Sequence, residues 1–276
     1  MEGKRSRYGR GFRISLGILI LIAIGAILAP WIAPCGPNEM GEAINQAPSF
    51  THLFGTDSMG RDLLSRVLYG GRASLFIGIC ATLISTLLAI LYGTISGVAG
   101  NKLDRVLMRG SDMMQSMPQI LLIIFLQGMM GKANYFSLSL AIGVTGWMAM
   151  ARIIRNEVRR IRGSDFILAA QMMGGSFGYI LRRHMLPSFM PSILYSVISS
   201  VGAAMVTEST LSFLGLGLPV DKASWGGLLT GAQNALLSGE WWLVLIPGTV
   251  LIVTLICITE VGEEIRKKNT RLHSNL

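Results

Sequence analysis

Residues 152–187 read RIIRNEVRRIRGSDFILAAQMMGGSFGYILRRHMLP, a polar and basic stretch set between two long apolar ones. Arg152, Arg155, Arg159, Arg160 and Arg162 open it, and Arg182, Arg183 and His184 stand near its close. Asp165 is placed to cap a short helix running through Phe166 to Met173. Ala169 and Ala170 put methyl-sized side chains on that helix, so a neighbouring surface can approach its backbone closely. Gly174 and Gly175, with Gly178 three residues on, permit a sharp turn. A second short helix then carries Arg182, Arg183 and His184, and Pro187 suits the first turn of the next helix, where its missing N–H is no loss. Small side chains, a hinge and a proline at a helix start describe an element that docks against another body.

The stretches on either side of it decide the fold class. The chain has 276 residues, 51% hydrophobic and only 14% charged, against about 25% charged in soluble domains. Its apolar residues form runs long enough to cross a bilayer, which takes roughly 20 residues of helix. Six spans are expected, at 12–34, 74–99, 112–131, 135–155, 187–213 and 241–262. The fold class is therefore all-α integral membrane. Residues 1–73 would form a tail, the first span and an outer loop; 74–262 a five-span core; and 263–276 a tail. The first run is too long for the apolar part of a secretory signal, about 7–15 residues, and lacks an A-x-A site, so it reads as an uncleaved span. Gly93, Ser96, Gly97 and Gly100 are small residues that let membrane helices pack closely.

The net charge of +9 does not indicate nucleic acid, because the basic residues gather at alternate ends of the apolar runs. Nineteen of the 24 Lys and Arg fall on one side of the six spans and five on the other. By the positive-inside rule both termini and the 152–186 segment are cytoplasmic, and the 35–73 loop is outside. Cys35, Cys80 and Cys257 have no metal-ligand spacing, and His52, His184 and His273 are scattered. The methionine-rich patches read as adaptable packing rather than a metal pathway. No G-x-x-x-x-G-K-[ST] phosphate loop is present; Gly128-Met129-Met130-Gly131-Lys132 has the wrong spacing. No enzymatic role, metal or cofactor of this chain's own is indicated.

Two acidic features stand apart. Glu208 is the acid deep inside an apolar run, a costly placement that marks a functional hypothesis by default. It would line a pathway, touch a cation or titrate; alternatively it accepts hydrogen bonds from Ser and Thr hydroxyls or from another helix. In the outer loop, Asp57, Gly60, Arg61, Asp62 and Arg66 form an alternating-charge stretch. Arg61 would pair with Asp57 and Asp62 as a solvated structural surface, or the stretch would serve as a gate or landing site. Glu260, Glu263 and Glu264 read as interfacial charges.

Taken together, Ala169-Ala170, then Gly174, nine intervening residues, His184 and Leu186-Pro187 resemble the signature loop of ABC importer permeases. Two further blocks narrow the resemblance. One is His52-Leu53-Phe54-Gly55-Thr56-Asp57-Ser58-Met59-Gly60-Arg61-Asp62; the other is Ser212-Phe213-Leu214-Gly215-Leu216-Gly217 followed by Ser224-Trp225-Gly226. These are similar to the C-type permease subunits of dipeptide, oligopeptide and nickel importers. The resemblance implies a type I importer bundle in a bacterial inner membrane. It pairs there with a second, homologous permease, and an extracytoplasmic binding protein supplies the substrate. Two cytoplasmic ATPases bind ATP and magnesium and dock on 156–186, with Asp165, Ala169, Ala170, Gly174, Arg182, Arg183, His184 and Pro187 as coupling residues. The cargo so implied is a di- or oligopeptide, or else nickel or its chelate. One departure is Leu168, where the family's signature carries an acid; Asp165, a turn earlier, would replace it in part. The rival from another class is a self-sufficient secondary transporter with Glu208 as proton relay.

Overall fold

The computed structural model describes residues 9–230 and 232–274. The helices run in the order α1 (Arg10–Ile27), α2 (Ala29–Ile32), α3 (Leu63–Val98), α4 (Asn101–Gln115), α5 (Gln119–Met130), α6 (Tyr135–Gly146) and α7 (Met148–Arg162). They continue as α8 (Asp165–Met172), α9 (Phe177–Ile180), a π turn (Leu181–Met185), α10 (Leu186–Phe213), α11 (Trp225–Leu228), α12 (Ala232–Leu237) and α13 (Trp242–Ser274). By length and composition four helices can cross a membrane, and six spans result if each of two bent helix pairs counts as one.

The distribution of side chains is that of a protein dissolved in lipid. Leu83, Leu87 and Leu91 of α3 point outward, as do Ile252 and Ile256 of α13. Ser74, Ser85 and Ser96 of α3 are buried. With hydrocarbon outside, apolar side chains gain nothing by going in, and small residues that allow close approach take the interior. α3 is the central helix, packed by α1, α6, α7 and α10. A Cβ at Gly93 would lie 2.5 Å from the Ala151 carbonyl oxygen, and one at Gly97 would lie 2.6 Å from Val158 Cγ1. Those two glycines let α7 lie against α3, whereas Gly100 has nothing within 4 Å.

Several expected boundaries move, each for a local reason. α3 begins at Leu63 because Asp62 caps it, so the loop before it is shorter than 35–73 and the 73/74 boundary falls inside a helix. The first run breaks at Leu28, ahead of Pro30. The expected span 112–131 is instead two helices, α4 and α5, meeting at 86°. Pro118 disfavours a helical Met117 and caps α5 from outside. α4 carries Leu103, Val106 and Met113 exposed while Asp104 and Ser111 are buried. α4 is thus amphipathic, with its polar Asp104 and Ser111 facing the bundle. The span 135–155 also bends, by 48°, between α6 and α7 at Trp147, whose ring packs at 4.5 Å from that of Tyr92. Asn134 and Ser137 open α6 with reciprocal caps. At the last span α13 runs on through residue 262, and α1 packs along it, with the Gly9 N–H donating to Glu264 Oε1 at 3.4 Å.

Candidate functional site

The segment from α7 to α10 is held from its inner side and open on its outer one. α7 buries Met150, Ala151, Ile154, Val158 and Ile161 at helical spacing, and Arg152 and Arg160 are exposed on it. α8 follows with Ser164, rather than Asp165, at its N-cap; Asp165 is the first helical residue, with its charge at the positive end of the short helix. Ile167 and Ala170 of α8 are buried in the same core as Ile154, Ile180 and Phe189. Ala170 therefore serves packing within the chain, and Ala169 is on the exposed face. Most of what is exposed there is apolar: Phe166, Leu168, Met172 and Met173 stand out beside Asp165 and Gln171, Met172 by 90%.

α8 ends in a paired-bond turn. The Gly175 N–H donates to the Ala170 carbonyl and the Gly174 N–H to that of Gln171, both at 3.0 Å. Gly174 has φ +77°, the left-handed region that a Cβ makes costly. Gly178 lies inside the next helix and makes no turn. That helix is not a separate short element: α9, the π turn and α10 are continuous from Gly178 to Phe213. Arg182 and Arg183 are exposed on it, and His184 is half-buried with its ring 5.8 Å from Tyr179 and 6.5 Å from Phe166. Pro187 sits in the first turn of α10.

At the opposite end of the bundle the alternating-charge stretch is buried rather than solvated. Asp57 Oδ1 accepts from the Met59 and Arg61 N–H groups at 2.9 and 3.0 Å. Its Oδ2 accepts from Arg61 Nε at 2.8 Å and from Arg66 Nη1. Burial alone would raise the Asp57 carboxyl, but those two N–H groups and two guanidiniums outweigh it and hold it below the usual range. Asp62 does not pair with Arg61. It accepts from the Ser65 N–H and hydroxyl at 2.8 and 2.9 Å and from His52 Nδ1 at 3.1 Å. Gly60, with φ +71°, lies so close to Gly41 that an added Cβ would be 2.1 Å from its carbonyl oxygen.

Glu208 is fully buried and surrounded by hydroxyls. Ser212 donates to Oε1 at 2.8 Å; Ser74 and Ser209 reach Oε2 at 3.2 and 3.4 Å. Ser74 Oγ in turn accepts from the Trp225 N–H at 3.1 Å, and Trp225 Nε1 donates to the Val67 carbonyl at 2.9 Å. The carboxylate thus ties α10 to α3, and Ser74 carries the link on to Trp225 at the start of α11.

Residues 89–262 match the family described as binding-protein-dependent transport system inner membrane component. The chain belongs to that family. Residues 7–48 separately match the N-terminal transmembrane domain of oligopeptide transport permease C. The dipeptide transport system permease protein of Bacillus subtilis is 35% identical over 90% of this chain and 78% of its own. The oligopeptide transport system permease protein of the same organism is 34% identical over 95% of this chain and 86% of its own. A chain of the MetNI methionine ABC transporter, in an inward-facing conformation, shares the fold. Its TM-score is 0.61 at 17% identity, over 75% of this chain and 97% of that one.

The permease also has a polar cluster that no motif announced. Asp104 of α4 is buried, and its Oδ1 accepts from Ser96 at 2.6 Å and Arg155 Nε at 2.5 Å. Its Oδ2 accepts from Arg155 Nη2 at 2.5 Å and lies 2.7 Å from Arg159 Nη2. The bidentate Arg155 fork is the main reason the carboxyl is held down at about 2. Arg162 adds a bond to the Val98 carbonyl at 2.6 Å. Arginines that read from sequence as orientation charge thus clamp α7 to α3 and α4. Their signal was present as charge, but not as pairing.

Proposed function

We propose that this permease forms half of the translocation path of an ATP-driven importer of di- or oligopeptides. It works beside a second homologous permease, with an extracytoplasmic binding protein delivering cargo and two separate cytoplasmic ATPases supplying the drive. Its termini and the α7–α10 segment face the cytoplasm of a bacterial cell, as the basic bias implies. The peptide cargo is the reading carried over from the dipeptide and oligopeptide permeases it is similar to.

The observation that carries the coupling role is the two-sidedness of α8. Ile167 and Ala170 fix one face in the core while Leu168, Met172 and Met173 present apolar side chains outward. An exposed apolar face on a rigidly seated helix is an interaction surface. The first turn of α8 carries Asp165 and no acid at 168, so the docking contact would rest on apolar burial there. The continuous helix after Gly178 would pass any movement of the docked segment into the bundle.

The test is binding-protein-stimulated ATP hydrolysis by the reassembled complex in lipid vesicles, together with uptake of a free dipeptide. Met172→Asp and Leu168→Asp put charges on the outward face without entering the core. Each should lower stimulated hydrolysis and uptake by about tenfold or more, the effect of a disrupted interface anchor. Wild-type rates in both variants would remove α8 as the coupling element.

A further inference from the structure

At the end of the bundle that carries the charged loop, the start of α3, the start of α6 and the loop before α11 line a partly open cavity of about 580 Å³. Pockets that take small organic ligands span about 300–1,000 Å³. The wall is aromatic: Tyr69 and Phe76 come from α3 and Tyr135 from α6, with Phe76 and Tyr135 edge-to-face at 6.3 Å. Arg72, Asp221 and Lys222 also line it.

The charges are arranged unusually. Lys222 Nζ lies 5.0 Å from the centre of the Tyr135 ring, and the Arg72 guanidinium 5.9 Å from that of Tyr69. A ring face favours a cation without neutralising it. Among the described residues neither cation has a carboxylate within 4 Å, and Asp221 has no basic group within that distance. Asp221 is fixed through its backbone: Asn38 Nδ2 donates to its carbonyl at 2.7 Å, leaving the carboxylate exposed. Just after it, Ser224 caps α11 and Trp225 is bonded to Ser74, so the loop is anchored on both sides of the cavity edge. Two cations and one anion are thus held around an aromatic wall, each with its hydrogen-bonding capacity open.

That set complements a ligand with an ammonium at one end, a carboxylate at the other and an apolar body between. We propose that this cavity is a peptide-binding subsite of the permease itself. Asp221 takes the terminal ammonium, Arg72 and Lys222 take the terminal carboxylate, and Tyr69, Phe76 and Tyr135 receive a side chain. The proposal rests on the peptide-import reading above and deepens it. A zwitterionic lipid headgroup offers the same two charges, but its short ethylene link gives the aromatic wall nothing to hold.

The experiment uses the whole transporter in vesicles, with binding protein at saturation. The probe is the tripeptide Ala–photoleucine–Ala with free termini, whose diazirine labels what lies within contact on illumination. Labelling should map to the segments around Tyr69–Phe76 or Tyr135, and excess Ala-Leu-Ala should displace it. Asp221→Asn and Lys222→Gln should each lower labelling and Ala-Leu-Ala uptake about five- to tenfold, the scale of one partly exposed charge-assisted hydrogen bond. Lys132→Gln, a neighbouring exposed cation outside the cavity, should change neither beyond twofold. If the unaltered complex takes up peptide while Asp221→Asn and Lys222→Gln match it within twofold, the subsite is refuted and peptide import stands. The subsite is equally refuted if labelling maps elsewhere, or if a photoreactive phosphatidylethanolamine labels the cavity undisplaced by peptide. An unaltered complex that takes up no free peptide overturns the import reading and the subsite together.

Discussion

Asp57 shows how a residue read as surface charge became part of the interior. Its carboxylate holds Arg61 and Arg66, each about nine-tenths buried, so Asp57→Asn would leave two buried guanidiniums undercompensated. The expected cost is about 3–5 kcal/mol in a denaturation experiment on the detergent-solubilised protein. Because its folded pKa lies below the ordinary carboxylate value, the pair stabilises the fold at pH above about 4 and is lost as pH falls further through the lowered value. Asp57→Asn should flatten that acid limb of the stability curve, and an unchanged limb would count against the assignment. Gly174 offers a second residue-level test. With φ +77° and no atom within 4 Å of an added Cβ, Gly174→Ala is strained by backbone alone. It should cost about 1 kcal/mol, read as a lowered melting midpoint; a neutral or stabilising effect would mean that the α8 turn is not held in this conformation. The sequence announced Gly174 because glycine is the residue such a turn selects. It could not announce Asp57's burial, which depends on Trp242 closing over the loop from nearly two hundred residues away, its Nε1 donating to the Thr56 carbonyl at 3.2 Å.

Among the elements, α3, α10 and α13 were legible because each is one apolar run. The breaks were not, because the expected spans 112–131 and 135–155 were drawn across the junctions between apolar α5 and α6 and their amphipathic neighbours α4 and α7. Pro118 and Gly146 mark those changes only in hindsight, since membrane helices tolerate both residues. The clamp between α4 and α7 was equally hidden, because Asp104 and its arginines are some fifty residues apart. Asp104→Asn should release α4 from α7, raising backbone hydrogen exchange in α4 and lowering stability by about 1.5–3 kcal/mol, the scale of hydrogen bonds to a charged group with partly exposed partners. Arg155→Lys should recover only part, because an ammonium cannot reproduce the two-pronged contact. With the folded carboxyl at about 2 against 3.8 unfolded, the clamp is intact above pH 4 and weakens as pH drops towards 2. Equal exchange in α4 for Asp104→Asn and the unaltered protein would show that the clamp holds nothing.

For the molecule as a whole, the inside-out arrangement of α3 predicts opposite responses to substitution on its two faces. Leu87 is two-thirds exposed to the surroundings. Leu87→Arg should sharply reduce folded protein recovered from membranes, at a cost of about 2.5–3.5 kcal/mol for a charge at mid-bilayer. Leu87→Phe should be neutral, and equal recovery of both variants would mean that α3's outer face does not meet lipid. Ala89, fully buried, should respond in reverse: Ala89→Leu overfills the packing by about 1–3 kcal/mol although it is the more apolar residue. The unbroken helix from Gly178 to Phe213 has a further consequence. Its 36 residues make a rod of about 54 Å, with the basic turn at one tip and Glu208's knot of serines near the other. A rigid rod cannot store a push locally. Any twist entering at His184 must either be absorbed where the π turn and Pro191 interrupt the regular ladder or reappear as torque on Ser212 and Trp225. If α8 couples as proposed, the stiffness of this helix between Gly178 and Pro191 decides how much of a movement at His184 arrives at Ser212.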